Sequence, residues 1–143
     1  ADYLNFLHFG EATLTFPQTL LLRYGQFEPP ERRQPQVVQD YGKWFLARLR
    51  PLQPRLEASP FLAAGRFTAA DVSVGYALML AEVLKLDQRF TPAVAAYWQR
   101  LQQRPAFQSA LRVHFGVSHA TVQIEAAECC QSGCAADPDG QKA

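Results

Sequence analysis

The sequence predicts an all-α fold, a bundle of five to six helices, on three observations. Apolar residues recur three or four apart through most of the chain. Two hydroxyl residues, Thr68 and Thr91, stand where helix starts should be, one followed by an acid and the other by a proline that completes the start. No stretch alternates apolar and polar residues as a half-buried strand would.

Residues 2–24 carry Tyr3, Leu4, Phe6, Leu7, Phe9 and Leu14, then Leu20, Leu21, Leu22 and Tyr24, a spacing that suits a helix with more than one buried face. Pro17 lacks an amide and crowds the preceding turn, so an interruption or bend is expected near Phe16-Pro17. The polar link from Glu28 to Pro35 reads as an exposed loop. The cleanest amphipathic stripe follows: Val37, Val38, Tyr41, Trp44, Phe45, Leu49, Leu52 and Leu56, with Gln39, Asp40, Lys43, Arg48 and Arg55 between them. Pro51 and Pro54 would each cost about 3 kcal/mol in a regular helix interior. A kink or restart is therefore expected near Arg50, with Pro51 in a first-turn position.

The strongest start signal is Phe67-Thr68-Ala69-Ala70-Asp71-Val72. Thr68 is the N-cap, Asp71 can reach back to the Thr68 amide and suits the positive helix end, and Phe67 and Val72 hold the staple positions. The helix so begun should run over about 69–86. Thr91-Pro92, a hydroxyl cap with proline at the first helical site, opens another helix with Val94, Tyr97, Trp98 and Leu101 on one side. Arg104-Pro105 ends it, and Pro105 can open a short helix to about Val113. Residues 1–115 thus form the helical domain. Residues 116–143 form a tail, partly helical and then frayed towards Asp137-Pro138-Asp139-Gly140.

A chain of 143 residues, 48% apolar and 19% charged, can bury a core without disulfides. Its net charge of +1 makes no electrostatic case for nucleic acid or an acidic membrane. Arg48, Arg50 and Arg55 read as a solvated helix face ahead of an anion site. No apolar run reaches the length of a membrane span, the N-terminus lacks the layout of a signal peptide, and a cytoplasmic location is the default. All three cysteines, Cys129, Cys130 and Cys134, lie in the tail. With His119 upstream they make a poor zinc set, because adjacent cysteines chelate one ion badly, and no metal site is predicted. His114 and His119 have no partner spacing, while His8 and Glu11, three apart, read as a surface pair rather than an acid–base couple.

The stretch Phe61 to Leu78 resembles the central motif of the glutathione S-transferase C-terminal domain, a loop leading through Thr68 and Asp71 into a buried helix. Tyr3 to Leu14 resembles the first helix of that domain in bacterial members, and Tyr97 to Phe107 resembles its late Trp-to-Arg-Pro junction. The resemblance implies a domain that walls the hydrophobic electrophile site and contributes to a homodimer of a detoxification enzyme. It implies no catalytic residue here, since glutathione and the group engaging its sulfur belong to a thioredoxin-like half with no counterpart in this sequence. Ionising that thiol needs donors or positive dipole ends fixed beside the sulfur, which an apolar helical wall does not provide. The chain alone is then expected to be inactive, with glutathione as co-substrate of the intact enzyme and no cofactor.

By that resemblance the substrate-wall candidates are Phe6, Phe9, Gly10 and Thr13, Gly10 leaving room for a ligand and Thr13 offering a hydroxyl. Taken singly, aromatic residues at helical spacing are more often core and a helical glycine can simply allow close packing, while the helix as a whole reads as a pocket wall. Thr68 and Asp71 are assigned to folding, at about 1 kcal/mol or more each. A non-catalytic protein-interaction module of the same fold is the alternative, and a small-ligand carrier is a third reading.

Overall fold

A computed structural model of the chain describes residues 2–115, with side chains as far as Val113. Among the described residues there is no strand. The chain begins as one helical rod: α1 (Asp2–His8), π-helical turns over Phe9–Thr15, α2 (Phe16–Leu22), and a second π-helical stretch over Arg23–Phe27. Where an interruption or bend is expected near Phe16-Pro17, the α-helix gives way to π-helical turns just upstream, but the helical path continues into α2. His8 and Phe16, at the two ends of the first π stretch, both stay in the right-handed helical region. Pro17 has no amide to give and its ring crowds the carbonyl one turn back, so widened turns just upstream absorb the misfit without ending the rod. Threonine hydroxyls occupy carbonyls there: Thr15 donates to Gly10 O at 2.9 Å, and Thr19 to Thr15 O at 3.0 Å.

The Glu28–Pro35 link is exposed as expected, but it is pinned: Arg33 donates to the Gln26 and Glu28 carbonyls at 3.2 and 3.0 Å. Helix α3 (Pro35–Arg48) then packs along α2, burying Gly42 and Phe45. It stops before Pro51, and α4 (Leu52–Ala58) restarts with Pro51 as its cap residue. Pro54 falls in the first turn of α4, where a missing amide costs no intrahelical bond.

Helix α5 (Ala69–Val83) is the central element, with Ala70, Val74, Ala77, Leu78 and Ala81 completely buried. It ends before the expected residue 86. Lys85 takes the left-handed conformation (φ 59°), the Leu86 amide returns to Ala81 O at 2.9 Å and the Lys85 amide to Glu82 O at 3.0 Å. That double closure is a Schellman cap built with lysine where glycine is usual. Helix α6 (Pro92–Gln102) starts at Thr91-Pro92 and buries Val94, Tyr97, Trp98 and Leu101. Thr91 does not cap with its side chain, contrary to expectation; its hydroxyl is buried without a partner, and Pro92 alone presets the start. Helix α7 (Pro105–Phe115) follows at once. With α1 and α2 counted as one rod, the described residues form six helical bodies. The expected tail, 116–143, with Cys129, Cys130, Cys134 and His119, lies outside the described residues.

Candidate functional site

The start of α5 is held by a buried carboxylate. Asp71 is fully buried, and its Oδ2 accepts from the Thr68 amide at 2.8 Å and the Thr68 hydroxyl at 3.1 Å. Its Oδ1 accepts from the Leu62 amide at 3.1 Å and from the Tyr97 hydroxyl at 2.9 Å. The reciprocal capping box read from the sequence is present, yet it is half of a larger network. Among the described residues no cation pairs with Asp71; the four donors compensate its charge instead. Tyr97 is itself fully buried, and its hydroxyl pKa lies far above the usual tyrosine value, first from burial and then from the neighbouring Asp71 charge. Such a phenol is a fixed donor. It anchors α6 to the cap of α5 and offers no acid–base chemistry near neutrality.

Beside this anchor lies an apolar cleft of about 310 Å³, bounded by α5, the end of α6 and the first turns of α7. Val72, Gly75, Tyr76 and Met79 line it from α5, at spacings that put them on one side of the helix. Phe107 and Ala110 line it from α7, and Leu101 from α6. Small residues create the shape. A side-chain carbon added at Gly75 would meet Leu101 Cδ1 at 3.1 Å, so the glycine lets α6 press close on that flank. On the opposite flank, Ser73 donates to Leu7 O at 2.7 Å and abuts Gly10. Val72 and Tyr76 stand between the two flanks and are 58% and 54% exposed. Val72, read as the staple partner of Phe67, is largely exposed and lines the cleft together with it.

Arg104 closes one rim of the cleft. Its guanidinium stacks 3.6 Å from the centroid of the Phe67 ring, which Phe61 meets edge-on at 6.0 Å. Deeper between α5 and α6, Glu82 accepts from Trp98 Nε1 at 2.7 Å and Gln102 Nε2 at 2.8 Å, and Trp98 in turn meets Phe107 edge-on at 5.4 Å. These contacts fix the orientation of the Phe107 wall.

None of the four residues read as a substrate wall lines this cleft. Phe6 and Phe9 meet edge-on at 6.2 Å and pack against the core from the opening rod, and Thr13 is half-buried there. Gly10 leaves no room for a ligand. A carbon added to it would come within 2.5 and 2.6 Å of the Ser73 backbone, so the glycine is what lets the rod lie directly on α5. His8 and Glu11 are both exposed and form no ion pair. Arg55 is drawn to Leu62 O at 2.6 Å and to Asp2 at 3.5 Å, so it does not gather with Arg48, which lies over Trp44 at 5.5 Å. Among the described residues, no group of His, Cys, Asp and Glu is arranged to hold a metal ion, and no helix is long and apolar enough to cross a membrane.

Sequence reading missed Gly75, Tyr76, Met79 and Arg104 as cleft residues. The i, i+4, i+7 spacing of Val72, Tyr76 and Met79 was the available signal, hidden because α5 is apolar on nearly every side. Neither a protein-family model nor a curated protein matches the chain.

Proposed function

We propose that this chain is the helical, substrate-pocket domain of a glutathione S-transferase, with the sulfur-activating half supplied from outside it. One observation carries the proposal: the helix bearing the motif that resembles that family also walls an apolar cleft of about 310 Å³ and leaves Val72 and Tyr76 uncovered beside it. A helix so uniformly apolar is normally covered all round. An open stripe next to a ligand-sized hollow is what a pocket closed by a second domain requires. In the intact enzyme a thioredoxin-like half would roof this ridge and hold glutathione. The hydrophobic electrophile would lie in the cleft, and the opening rod with Phe6, Phe9 and Thr13 would flank it across Ser73. The setting in this reading is a cytoplasmic homodimer working in detoxification.

The described residues of the pocket bind and orient, and its buried polar groups are already engaged. Asp71 is saturated with donors, and the Tyr97 hydroxyl is buried and committed to it. The 143-residue chain should therefore bind a neutral hydrophobic compound saturably, yet add nothing to the uncatalysed rate of glutathione conjugation to a chlorinated nitroaromatic. Turnover by the chain alone would refute the division of labour. Absence of saturable binding would refute the pocket and favour the second reading, a protein-interaction module in which the Val72–Tyr76 ridge docks a partner protein.

A further inference from the structure

Arg104 is a cation on the rim of an apolar hollow. Among the described residues no carboxylate lies within ion-pair distance of it, and its side chain makes no hydrogen bond. Among the described residues that line the cleft the one acid is Asp71, whose two oxygens already accept from four donors in the loop, the cap and α6. The guanidinium carbon lies 3.6 Å from the centroid of the Phe67 ring, a contact that leaves the guanidinium N–H groups without a hydrogen-bond partner among the described residues. That stack also holds the group in place, so little side-chain freedom is lost when the edge binds something.

The adjoining helix end adds to the same sign. Helix α7 starts at Pro105, the residue after Arg104, and its first-turn residues Ala106 and Phe107 line the cleft. Amides in a first turn have no acceptor within their own helix, and the helix dipole makes that end positive. A fixed guanidinium edge and a helix start thus converge on one rim, while Val72, Gly75, Met79, Leu101 and Phe107 supply an apolar interior.

We infer that the cleft takes a small amphipathic anion: an aromatic or short aliphatic carboxylate, its apolar body between α5 and α7 and its carboxylate on the Arg104 edge. This rests on the reading of the cleft as a ligand pocket and specifies the substrate class within it. Small-molecule pockets run from about 300 to 1,000 Å³. At about 310 Å³ this one is sized for a single ring with a short tail, and a long-chain lipid would not fit. Recognition of a planar carboxylate by the guanidinium fork is charge-assisted and geometrically selective.

The test uses the full 143-residue chain and a matched pair of probes, 4-phenylbutyrate and the neutral 4-phenylbutanol, titrated calorimetrically at low salt. The acid should bind about tenfold more tightly than the alcohol. Arg104→Gln should remove the preference, so that this variant binds the acid no more tightly than it binds the alcohol. Ala106→Trp, at an exposed position on the cleft wall, should abolish binding of both, with far-ultraviolet circular dichroism showing that the helices persist. If the wild-type chain binds acid and alcohol equally, the anion assignment falls while the pocket stands. If neither probe saturates, the pocket itself falls. A preference for the acid that survives Arg104→Gln, or binding that survives Ala106→Trp, overturns the placement of the ligand.

Discussion

Replacing Asp71 by asparagine tests whether the buried carboxylate, rather than its mere size, joins three parts of the chain. The amide of Asn has one oxygen where the carboxylate has two, and its nitrogen is a donor. If that nitrogen takes the Oδ2 position it faces the Thr68 amide; if it takes the Oδ1 position it faces the Leu62 amide. Either orientation strands one backbone N–H, whereas the Thr68 and Tyr97 hydroxyls can rotate to accept. A buried donor left without a partner costs about 1–3 kcal/mol, and the charge assistance on the remaining bonds goes too. Relief from burying a charge offsets part of this, so the net expectation for Asp71→Asn is about 2 kcal/mol. Asp71→Ala strands both amides and the Tyr97 hydroxyl together and should cost about 4 kcal/mol, a large part of an ordinary domain's stability. Tyr97→Phe removes one bond to a charged acceptor with no change of ring volume, for about 2 kcal/mol. The assay is equilibrium urea unfolding followed by circular dichroism and tryptophan fluorescence on Asp71→Asn, on Tyr97→Phe and on the variant carrying both. Because both residues belong to one network, Tyr97→Phe should cost about 1 kcal/mol less in a chain that already carries Asp71→Asn. Losses within about 0.5 kcal/mol for Asp71→Asn, the range of an ordinary surface change, would refute the reasoning. Strict additivity in the double variant would refute the network.

The remaining expectations use the same unfolding assay. Above pH 10, near the ordinary tyrosine pKa of 10.0, the unfolded chain gives up the Tyr97 proton while the folded chain keeps it. The unfolded state then binds fewer protons, so stability must fall as pH rises, by at most about 1.4 kcal/mol per pH unit for this one group. Tyr97→Phe should flatten that part of the pH profile, and an unchanged profile would contradict the burial of the phenol. Lys85→Gly should raise stability by about 0.5–1 kcal/mol, because the left-handed φ of 59° strains any residue with a side chain and the two cap bonds are made by backbone alone. Gly10→Ala should lower stability by about 2 kcal/mol or more, since the obstructing atoms belong to the Ser73 backbone and cannot rotate aside. An unaffected Gly10→Ala would restore the idea that space is held open there.

What could be read from the sequence was what neighbours along the chain decide. Thr68 and Asp71 are three apart, and so are the cap and the first turn they join; the box was legible because both ends of its bonds are local. Pro51 and Pro92 announced helix starts for the same reason, through a fixed φ and a missing amide. The other two partners of Asp71, Leu62 and Tyr97, were not legible as partners, because only the folded backbone brings the loop and α6 to that carboxylate. Pro17 shows how a local rule can identify the disturbance and miss its form: the amide is indeed missing, but packing on α3 and α5 holds the rod together through a widened turn. Lys85 shows the reverse case, a left-handed cap at a residue whose type gives no sign of it. The cleft is the clearest instance of what pattern alone leaves undecided. An apolar helix such as α5 offers several stripes of equal hydrophobicity, and hydrophobicity does not choose which of them stays open. The choice falls to the small residues: Gly10 against Ser73 seats the rod on one flank, and Gly75 under Leu101 seats α6 on the other. Val72 and Tyr76, between those two close approaches, are left as the open face. Enlarging Gly75 should therefore push α6 outward and change the width of the cleft, whereas enlarging Gly10 should unseat the rod and leave the cleft walls of α6 and α7 in place.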